Sequence, residues 1–271
     1  MEFIDTHAHL NDEHLPVPVA TAVADAKAAG VVQVVVPGTD LENSKQAVLL
    51  ANTHDAVFAA VGIHPHDVLE GKFDAAAVRP LIDESRVVAV GEIGMDFHHY
   101  DRDETIEKQQ AAFAAQLEFS IEAGLPAIVH GRRAYADILD VIRAYPESLG
   151  VLHSFEADYE TAKRVLDAGW FISLTALITY PQYDWLRDVV RKLPLELLMI
   201  ETDAPYLPPQ SLRDVTPPVA KPGTHGTRGR TNTPAHVVEV AKVLAELKGV
   251  ELELVAATTT ETARNFFRLP A

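Results

Sequence analysis

Short runs of apolar residues recur along the chain, and each is followed by a longer amphipathic stretch. Several runs are almost continuously apolar, for example residues 31–36 and 87–90, which is typical of parallel strands that are buried on both faces. The runs predict eight strands, at residues 2–6, 31–37, 57–63, 87–93, 126–130, 150–154, 170–175 and 197–202.

The stretches between the runs carry the marks of helices. Gly30 and Gly124 stand where the glycine that follows a helix is expected, and Phe113 and Leu117 have helical spacing. No Gly-x-Gly-x-x-Gly follows the first strand, which disfavours an open doubly wound sheet. Eight strand–helix units in 271 residues therefore predict an α/β fold, the (β/α)8 TIM barrel. We expect residues 1–271 to form a single domain.

One segment, residues 206–233, breaks this rhythm. It contains five prolines and three glycines and shows no helical period, so the pattern predicts a long loop. Loops of this length in a compact domain are usually functional or disordered. The segment is locally basic, with Arg213, Lys221, Arg228 and Arg230 against Asp214 as the one acid.

Composition narrows the function. The formal net charge is −16, from 23 Lys and Arg against 39 Asp and Glu, so a protein that coats duplex DNA by general electrostatic attraction is excluded. There is no cysteine, which excludes thiolate metal sites and leaves His, Asp and Glu as the strong metal ligands. Because no signal peptide or membrane span is recognisable, we expect a cytoplasmic protein that does not associate with membranes.

Histidines cluster at the predicted strand ends. In a TIM barrel these ends converge on one face, where active sites lie. Glu92 ends the fourth predicted strand, and Asp203 follows the eighth. Six of the twelve histidines occupy such positions, namely His7, His9, His64, His66, His130 and His153.

Packed into one barrel mouth, these groups predict a metal site. Bound divalent cations satisfy the lone pairs of clustered imidazoles and carboxylates and remove their mutual repulsion. His7 and His9 are two apart on a strand and therefore point to the same face. A carboxylate can bridge two ions, and Glu92, with a glycine before it and another two residues later, is the natural bridge. Two ions about 3.5 to 4 Å apart would make the site hydrolytic.

Six motifs closely resemble the TatD family of metal-dependent hydrolases, over nearly the whole chain. They are FIDTHAHL at 3–10, GIHPH at 62–66, GEIGMD at 91–96, HGR at 130–132, HSF at 153–155 and ETDAPYL at 201–207. The resemblance implies a barrel of the amidohydrolase type with two divalent ions. It also implies deoxyribonuclease activity, commonly as a 3′ to 5′ exonuclease that uses Mg²⁺ or Mn²⁺; the imidazole ligands make Zn²⁺ the alternative.

The resemblance also implies a role for each site residue. The ligands of one ion would be His7, His9, Glu92 and Asp203. Those of the other would be Glu92, His130 and His153. Asp203 would also act as general base for the bridging water. The residues on the substrate side would be His64, His66, Arg132, Glu201 and Asn232. Within that set, Arg132 is suited to hold phosphate oxygens and Glu201 to orient a metal ligand.

The chain departs from the family pattern at three places. Glu156 adds a carboxylate near the mouth, where the family usually has Ser. Residues 231–234 read Thr-Asn-Thr-Pro in place of Arg-Asn-Glu-Pro, which weakens the assignment of Asn232. His98 and His99 are expected at the solvent or substrate edge, not as ligands.

The leading hypothesis is a phosphodiesterase that acts on single-stranded or frayed DNA ends, with no obligate protein partner. An amide, lactone or aminoacyl-ester hydrolase that uses the same two ions is the alternative. A non-enzymatic metal-binding scaffold is the third reading, and the presence of every inferred ligand argues against it.

Overall fold

The computed structural model describes residues 1–215 and 232–271. Eight parallel strands pair in sequence order, as predicted for a TIM barrel. The strands are β1 (Phe3–Asp5), β2 (Val31–Pro37), β3 (Val57–Val61), β4 (Val87–Asp96), β5 (Ala127–Arg132), β6 (Gly150–Leu152), β7 (Phe171–Leu174) and β8 (Leu198–Ile200).

Residues at the carboxyl ends of the first and last strands close the barrel, with a parallel bridge between Ala8 and Ala204. The Thr6 N–H donates to the Ile200 carbonyl at 3.2 Å, and the His9 N–H donates to the Ala204 carbonyl at 2.7 Å. These bonds lie at the carboxyl ends of β1 and β8, so the residues that follow both strands are held side by side at the mouth.

Helices connect the strands. The α-helices are α1 (Val19–Ala28), α2 (Leu41–Thr53), α3 (Pro65–Leu69), α4 (Ala75–Val78), α5 (Arg102–Ala123), α6 (Tyr135–Ala144), α7 (Tyr159–Asp167), α8 (Asp184–Lys192), α9 (Gln210–Val215), α10 (Val237–Lys248) and α11 (Leu252–Phe267). Short 3₁₀ turns cover Arg79–Asp83, Ala176–Thr179, Pro181–Tyr183, Leu195–Leu197 and Pro234–His236. Within the described ranges, none of the helices has the length and apolar character needed to cross a bilayer.

Helix α5 shows how local sequence sets these elements. The Asp101 carboxylate accepts the N–H groups of Asp103 and Glu104 at its start, which satisfies two donors that an α-helix leaves free. Gly124 ends it with φ +63°, a backbone conformation that glycine adopts without steric cost. Phe113 lies on the buried face of α5 and is itself fully buried.

The barrel interior has two layers. The lower layer is apolar, and Phe266 and Phe267 of α11 pack against it from the amino ends of the strands. The upper layer, at the carboxyl ends, holds the histidines and carboxylates described below. Strand residues of the apolar layer are Ile4, Val35, Phe58, Ala60, Val88, Ala89, Ile128, Val151 and Met199.

Most predicted strand ends differ from the structure by one to three residues, and two of these differences bear on the site. Strand β4 runs on to Asp96, three residues beyond the predicted end, and its pairing with β5 is irregular between Val90 and Ile93. Strand β8 stops at Ile200. Asp203, three residues further, has φ +55°, a left-handed conformation that a strand does not accommodate.

The predicted loop at 206–233 also needs a correction. Residues Gln210–Val215 form the short helix α9, which is less than two turns long and therefore too short to show a helical period. The guanidinium of Arg213 lies 4.4 Å from the centre of the Tyr180 ring. Lys221, Arg228 and Arg230 lie outside the described residues.

Candidate metal centre

Glu92 lies at the centre of the mouth, in a cleft of about 940 Å³. Its carboxylate is almost fully buried, with 4% of the side chain exposed. Its two oxygens face different groups of side chains, and no backbone N–H of the described residues donates to either oxygen. Both oxygens are therefore available to ions.

The first group faces Oε2 of Glu92. His7 Nε2 lies 3.4 Å from this oxygen and His9 Nε2 lies 3.6 Å from it. Asp203 Oδ1 is 3.4 Å from His9 Nε2 and 3.8 Å from His7 Nε2. The two imidazole nitrogens are only 3.1 Å apart, so they point at one common position. That position is surrounded by two nitrogens and two carboxylate oxygens.

The second group faces Oε1 of Glu92. His130 Nδ1 lies 3.0 Å from this oxygen and His153 Nε2 lies 2.9 Å from it. These two nitrogens are 3.3 Å apart. The structure therefore brings all six predicted ligands together, and the five besides Glu92 form two groups, one beside each Glu92 oxygen, in the way the resemblance implies.

Carboxylates behind the second group fix the orientation of its rings. His153 Nδ1 lies 3.2 Å from Glu201 Oε1, and His130 Nε2 lies 3.1 Å from Asp96 Oδ2. A carboxylate accepts the ring proton on the far nitrogen, which leaves the lone pair of the near nitrogen directed at Glu92. Glu201 is also fixed, because the Ser154 N–H donates to Oε1 at 2.6 Å. Glu201 is therefore held against the His153 ring and does not line the cleft.

His64, expected on the substrate side, lines the cleft and also contacts the Glu92 carboxylate. Its Nε2 lies 3.4 Å from Glu92 Oε1. Its Nδ1 accepts the His66 N–H at 3.2 Å, so the proton of the neutral ring is on Nε2 and is directed at Glu92. Burial lowers the pKa of His64 to about 4, which keeps the ring neutral. The neutral ring of His64 thus lies against the central carboxylate.

The remaining predicted substrate residues differ in whether they line the cleft. Arg132 ends β5, lines the cleft and is exposed; within the described ranges no hydrogen bond or ion pair involves its guanidinium. His66 also lines the cleft, with its Nε2 directed at Asp96. Asn232 is fully buried. Its amide donates to the carbonyls of Thr202, Tyr206 and Leu207, so it secures the segment after β8 and does not line the cleft.

The charges in the mouth are strongly coupled. Burial opposes ionisation of Glu92, but the neighbouring imidazoles, His153 first, hold its pKa well below the ordinary value. Burial also opposes a charge on His153, but Glu92 and Glu201 raise its pKa well above the ordinary value. The imidazoles and carboxylates therefore stabilise each other's charged forms when protons provide the positive charge.

The donor set fits divalent cations at the same positions. Four buried carboxylate and imidazole groups converge beside Oε2, and three converge beside Oε1. Among the described residues, no partner hydrogen-bonds to the buried Nδ1 of His7, so only the Nε2 side of this ring makes polar contacts. Nitrogen and oxygen ligands at these spacings suit Zn²⁺ and Mn²⁺, and the carboxylates also suit Mg²⁺.

Two carboxylates were not predicted as part of the site. Asp5 is fully buried beneath it and accepts the Thr202 N–H at 2.9 Å and the Thr202 hydroxyl at 2.5 Å. Burial raises the pKa of Asp5 to about 8, against these hydrogen bonds. Asp96 contacts three imidazoles. Asp5 could have been found from sequence, because it is a charged residue within an otherwise apolar strand. Asp96 could not, because it lies beyond the predicted end of β4.

A TIM barrel with this cluster at the carboxyl ends of its strands defines a metal-dependent hydrolase. The chain belongs to the TatD-related DNase family, whose model matches residues 4–268.

Known relatives match over nearly their whole length. The chain is 32% identical to "Uncharacterized metal-dependent hydrolase YabD" of Bacillus subtilis (strain 168), over 98% of each chain. It is 34% identical to "3'-5' ssDNA/RNA exonuclease TatD" of Citrobacter koseri, over 90% of this chain and 91% of the relative. The crystal structure of YjjV, a TatD homologue from Escherichia coli K12, superimposes with a TM-score of 0.85 at 29% identity and covers 99% of this chain and 98% of that one.

Proposed function

We propose that this chain is a two-metal phosphodiesterase that removes nucleotides from the 3′ ends of single-stranded DNA. The observation that carries the proposal is the division of the Glu92 carboxylate, in which each oxygen faces its own set of ligands. A relative named as a 3′-5′ ssDNA/RNA exonuclease, 34% identical over most of both chains, supports the choice of bond and of substrate end.

The proposed metal ligands form two sets that share Glu92. One ion is held by His7, His9, Glu92 and Asp203. The other is held by Glu92, His130 and His153. Mg²⁺ or Mn²⁺ is the proposed working metal, and Zn²⁺ is the alternative. When bound, the ions supply Lewis-acid stabilisation of the phosphate and lower the pKa of water.

Asp203 is the proposed general base. Burial opposes ionisation of its side chain, but the hydrogen bond and charge of His9 lower its pKa, so it is a carboxylate at neutral pH and can accept a proton. Its side chain is 14% exposed, compared with 4% for Glu92. It therefore reaches the cleft, where the attacking water must lie.

Arg132 is the proposed phosphate-binding residue. It projects from the end of β5 into the cleft with its guanidinium unpaired by any described side chain. Arginine offers a planar pair of donors that matches two phosphate oxygens. Binding at this position would hold the scissile phosphate beside the Oε1 face of Glu92.

The acidic rim of the cleft favours a second candidate function, the hydrolysis of an uncharged carbonyl compound. Asp12, Glu13, Asp67 and Glu156 line it in addition to the ligands, and such a rim repels a polyanion. The Tyr183 hydroxyl donates to Glu156 Oε1 at 3.0 Å, so this carboxylate is held in place. An uncharged carbonyl substrate, such as an amide, lactone or aminoacyl ester, would not meet this repulsion. The same ligands and base would serve either bond.

Cleavage of 5′-labelled single-stranded DNA tests the proposal. Chelator-stripped protein is reloaded separately with Mg²⁺, Mn²⁺ and Zn²⁺, and a matching RNA strand is run beside the DNA. We expect a one-nucleotide ladder that shortens from the 3′ end and requires metal. His130→Ala should abolish it. His54→Ala, which changes a histidine at the end of α2 outside the cleft, should not. Absence of cleavage with metal demonstrably bound would overturn the nuclease proposal and direct the search to carbonyl esters and amides.

A further inference from the structure

A second cluster of imidazoles lies at the rim, beside the Glu92 centre. His66 Nε2 and His99 Nδ1 each lie 3.0 Å from Oδ2 of Asp96. The three ligand atoms lie within 4.8 Å of one another. They come from three separate segments, since His66 is in the first turn of α3, Asp96 ends β4, and His99 is in the connection to α5. All three line the cleft.

Oxygen Oδ2 of Asp96 has more neighbours than lone pairs. Three imidazole nitrogens surround it, because His130 Nε2 also lies 3.1 Å away. The other oxygen, Oδ1, already accepts the N–H groups of His98 and His99 at 2.8 and 3.1 Å. A carboxylate oxygen has two lone pairs. If His130 occupies one of them, His66 and His99 converge on the other, and a cation there would use the lone pairs of both rings.

The carboxylate of this cluster is rigid and its rings are accessible. Gln109 bonds to both the N–H and the carbonyl of Asp96, at 2.7 and 3.1 Å, and the Asp96 side chain is fully buried. In contrast, 34% of the His66 side chain and 46% of the His99 side chain are exposed. An ion bound by these three residues would keep open positions on the side of the cleft.

The charge of the cluster also suits a cation. Burial opposes ionisation of Asp96, but the hydrogen bonds of His130 and His66 hold its pKa well below the ordinary value. Asp96 therefore remains a carboxylate at neutral pH. Two imidazoles, one carboxylate and an open position are the ligand set of many zinc sites that bind water or substrate.

We propose that His66, Asp96 and His99 form a third divalent-cation site, selective for zinc-type ions, whose open position takes an anionic oxygen of the substrate. The ion would add positive charge to a rim that Asp67 and the other acids make negative. The metal site does not depend on which bond the enzyme hydrolyses, since it rests on ligand geometry outside the two-ion centre, whereas the binding of an anionic oxygen rests on the proposed phosphodiester substrate. His66 then acts through the ion and not by direct contact with the scissile phosphate.

Zinc counting tests the third site. Stripped protein is loaded with Zn²⁺, desalted and analysed by elemental mass spectrometry. We expect three ions per wild-type chain and two in His99→Ala. His98→Ala removes the adjacent exposed imidazole, which has no contact with Asp96 through its ring, and should retain three. Glu92→Gln should retain one, because it removes the ligand shared by the other two ions.

A zinc-edge anomalous map of wild-type crystals provides a measurement that needs no variant. It should show a peak within about 2.2 Å of His66 Nε2, His99 Nδ1 and an Asp96 oxygen. A count of two in the wild type, a count that His99→Ala leaves unchanged, or a map without this peak would overturn the third site. None of these results would affect the nuclease proposal, which the cleavage assay decides by itself.

Discussion

Strand β4 supplies two carboxylates that are each surrounded by imidazoles, and they differ in what the main chain does to them. At Glu92, no backbone N–H of the described residues donates to either oxygen, and the five other proposed ligands form two groups, one beside each oxygen. At Asp96 one oxygen accepts two backbone N–H groups. Only the second oxygen is available to side chains.

The difference indicates why the Glu92 carboxylate can bridge two ions and the Asp96 carboxylate cannot. A bridging ligand needs a lone pair on each oxygen directed at a different ion. Main-chain hydrogen bonds consume one oxygen of Asp96 and hold the group in place, so it orients His130 and offers a single oxygen to the rim. On the proposals above, the buried centre carries the chemistry, and the exposed cluster orients His130 and binds an ion.

The largest effect is expected from Glu92→Gln. The amide keeps the shape but replaces one ligand oxygen with an N–H donor, so both ions of the centre are lost. Metal catalysis of this type is worth several kcal/mol, which corresponds to a fall in kcat of roughly 10³-fold or more. Turnover and bound metal are measured together. The exposed Glu246→Gln on α10 is the matched control, and a Glu92→Gln enzyme that keeps both ions of the centre would disprove the bridging role.

A smaller effect is expected from Asp96→Asn. The variant leaves every ligand of the Glu92 centre in place but no longer fixes the ring proton of His130. Loss of such an orienting carboxylate typically costs roughly 10- to 100-fold in metal affinity or activity. Metal affinity is measured by chelator competition, with Asp101→Asn, which retains the cap of α5, as control. A loss of metal affinity as large as that of Glu92→Gln would mean that the two carboxylates do not differ in role.

Arg132→Ala addresses binding at the exposed side. Arg132 is opposite Asp96 in the pairing of β4 with β5. Loss of charge-assisted hydrogen bonds to phosphate costs about 1.5–3 kcal/mol, so kcat/KM should fall roughly 10- to 100-fold. Metal content should not change, and the neighbouring Arg133→Ala should have little effect. Metal loss in Arg132→Ala would place this residue in the centre and not beside it.

The strand ends explain why so much of the centre could be predicted from sequence. His7 and His9 share a face because strand side chains alternate, and His130 and Glu92 follow apolar runs whose ends must converge in a barrel. The fold and the grouping of ligands therefore follow from the pattern of apolar and polar residues. The resemblance to a family added the division of ligands between two ions.

Sequence could not predict the contacts that loops create. His99 is beyond β4, and its approach to His66 depends on where α3 begins and on the path of the chain before α5. Asp96 appeared to lie outside any strand because β4 continues past an irregular pairing. Asn232 sits in a motif associated with substrate, but it is buried because its amide satisfies three carbonyls of the segment after β8. Such roles depend on tertiary packing, and residue spacing carries no signal for them.

The smallest effect is expected from protonation of His236, whose imidazole contacts an amide and not a carboxylate. His236 Nδ1 lies 2.9 Å from Asn232 Oδ1, and burial lowers its pKa below 6.5, whereas carboxylates raise that of His153. The unfolded chain therefore binds a proton at His236 before the folded chain does, and the contribution of His236 to stability falls as pH drops below about 6.5. Urea unfolding of the wild type and His236→Gln at pH 7.5 and 5.5 measures this. We expect the stability of the wild type relative to the variant to decrease at the lower pH. An increase would mean that a negative group compensates the burial of His236, and that this ring belongs with the carboxylate-bound imidazoles of the mouth.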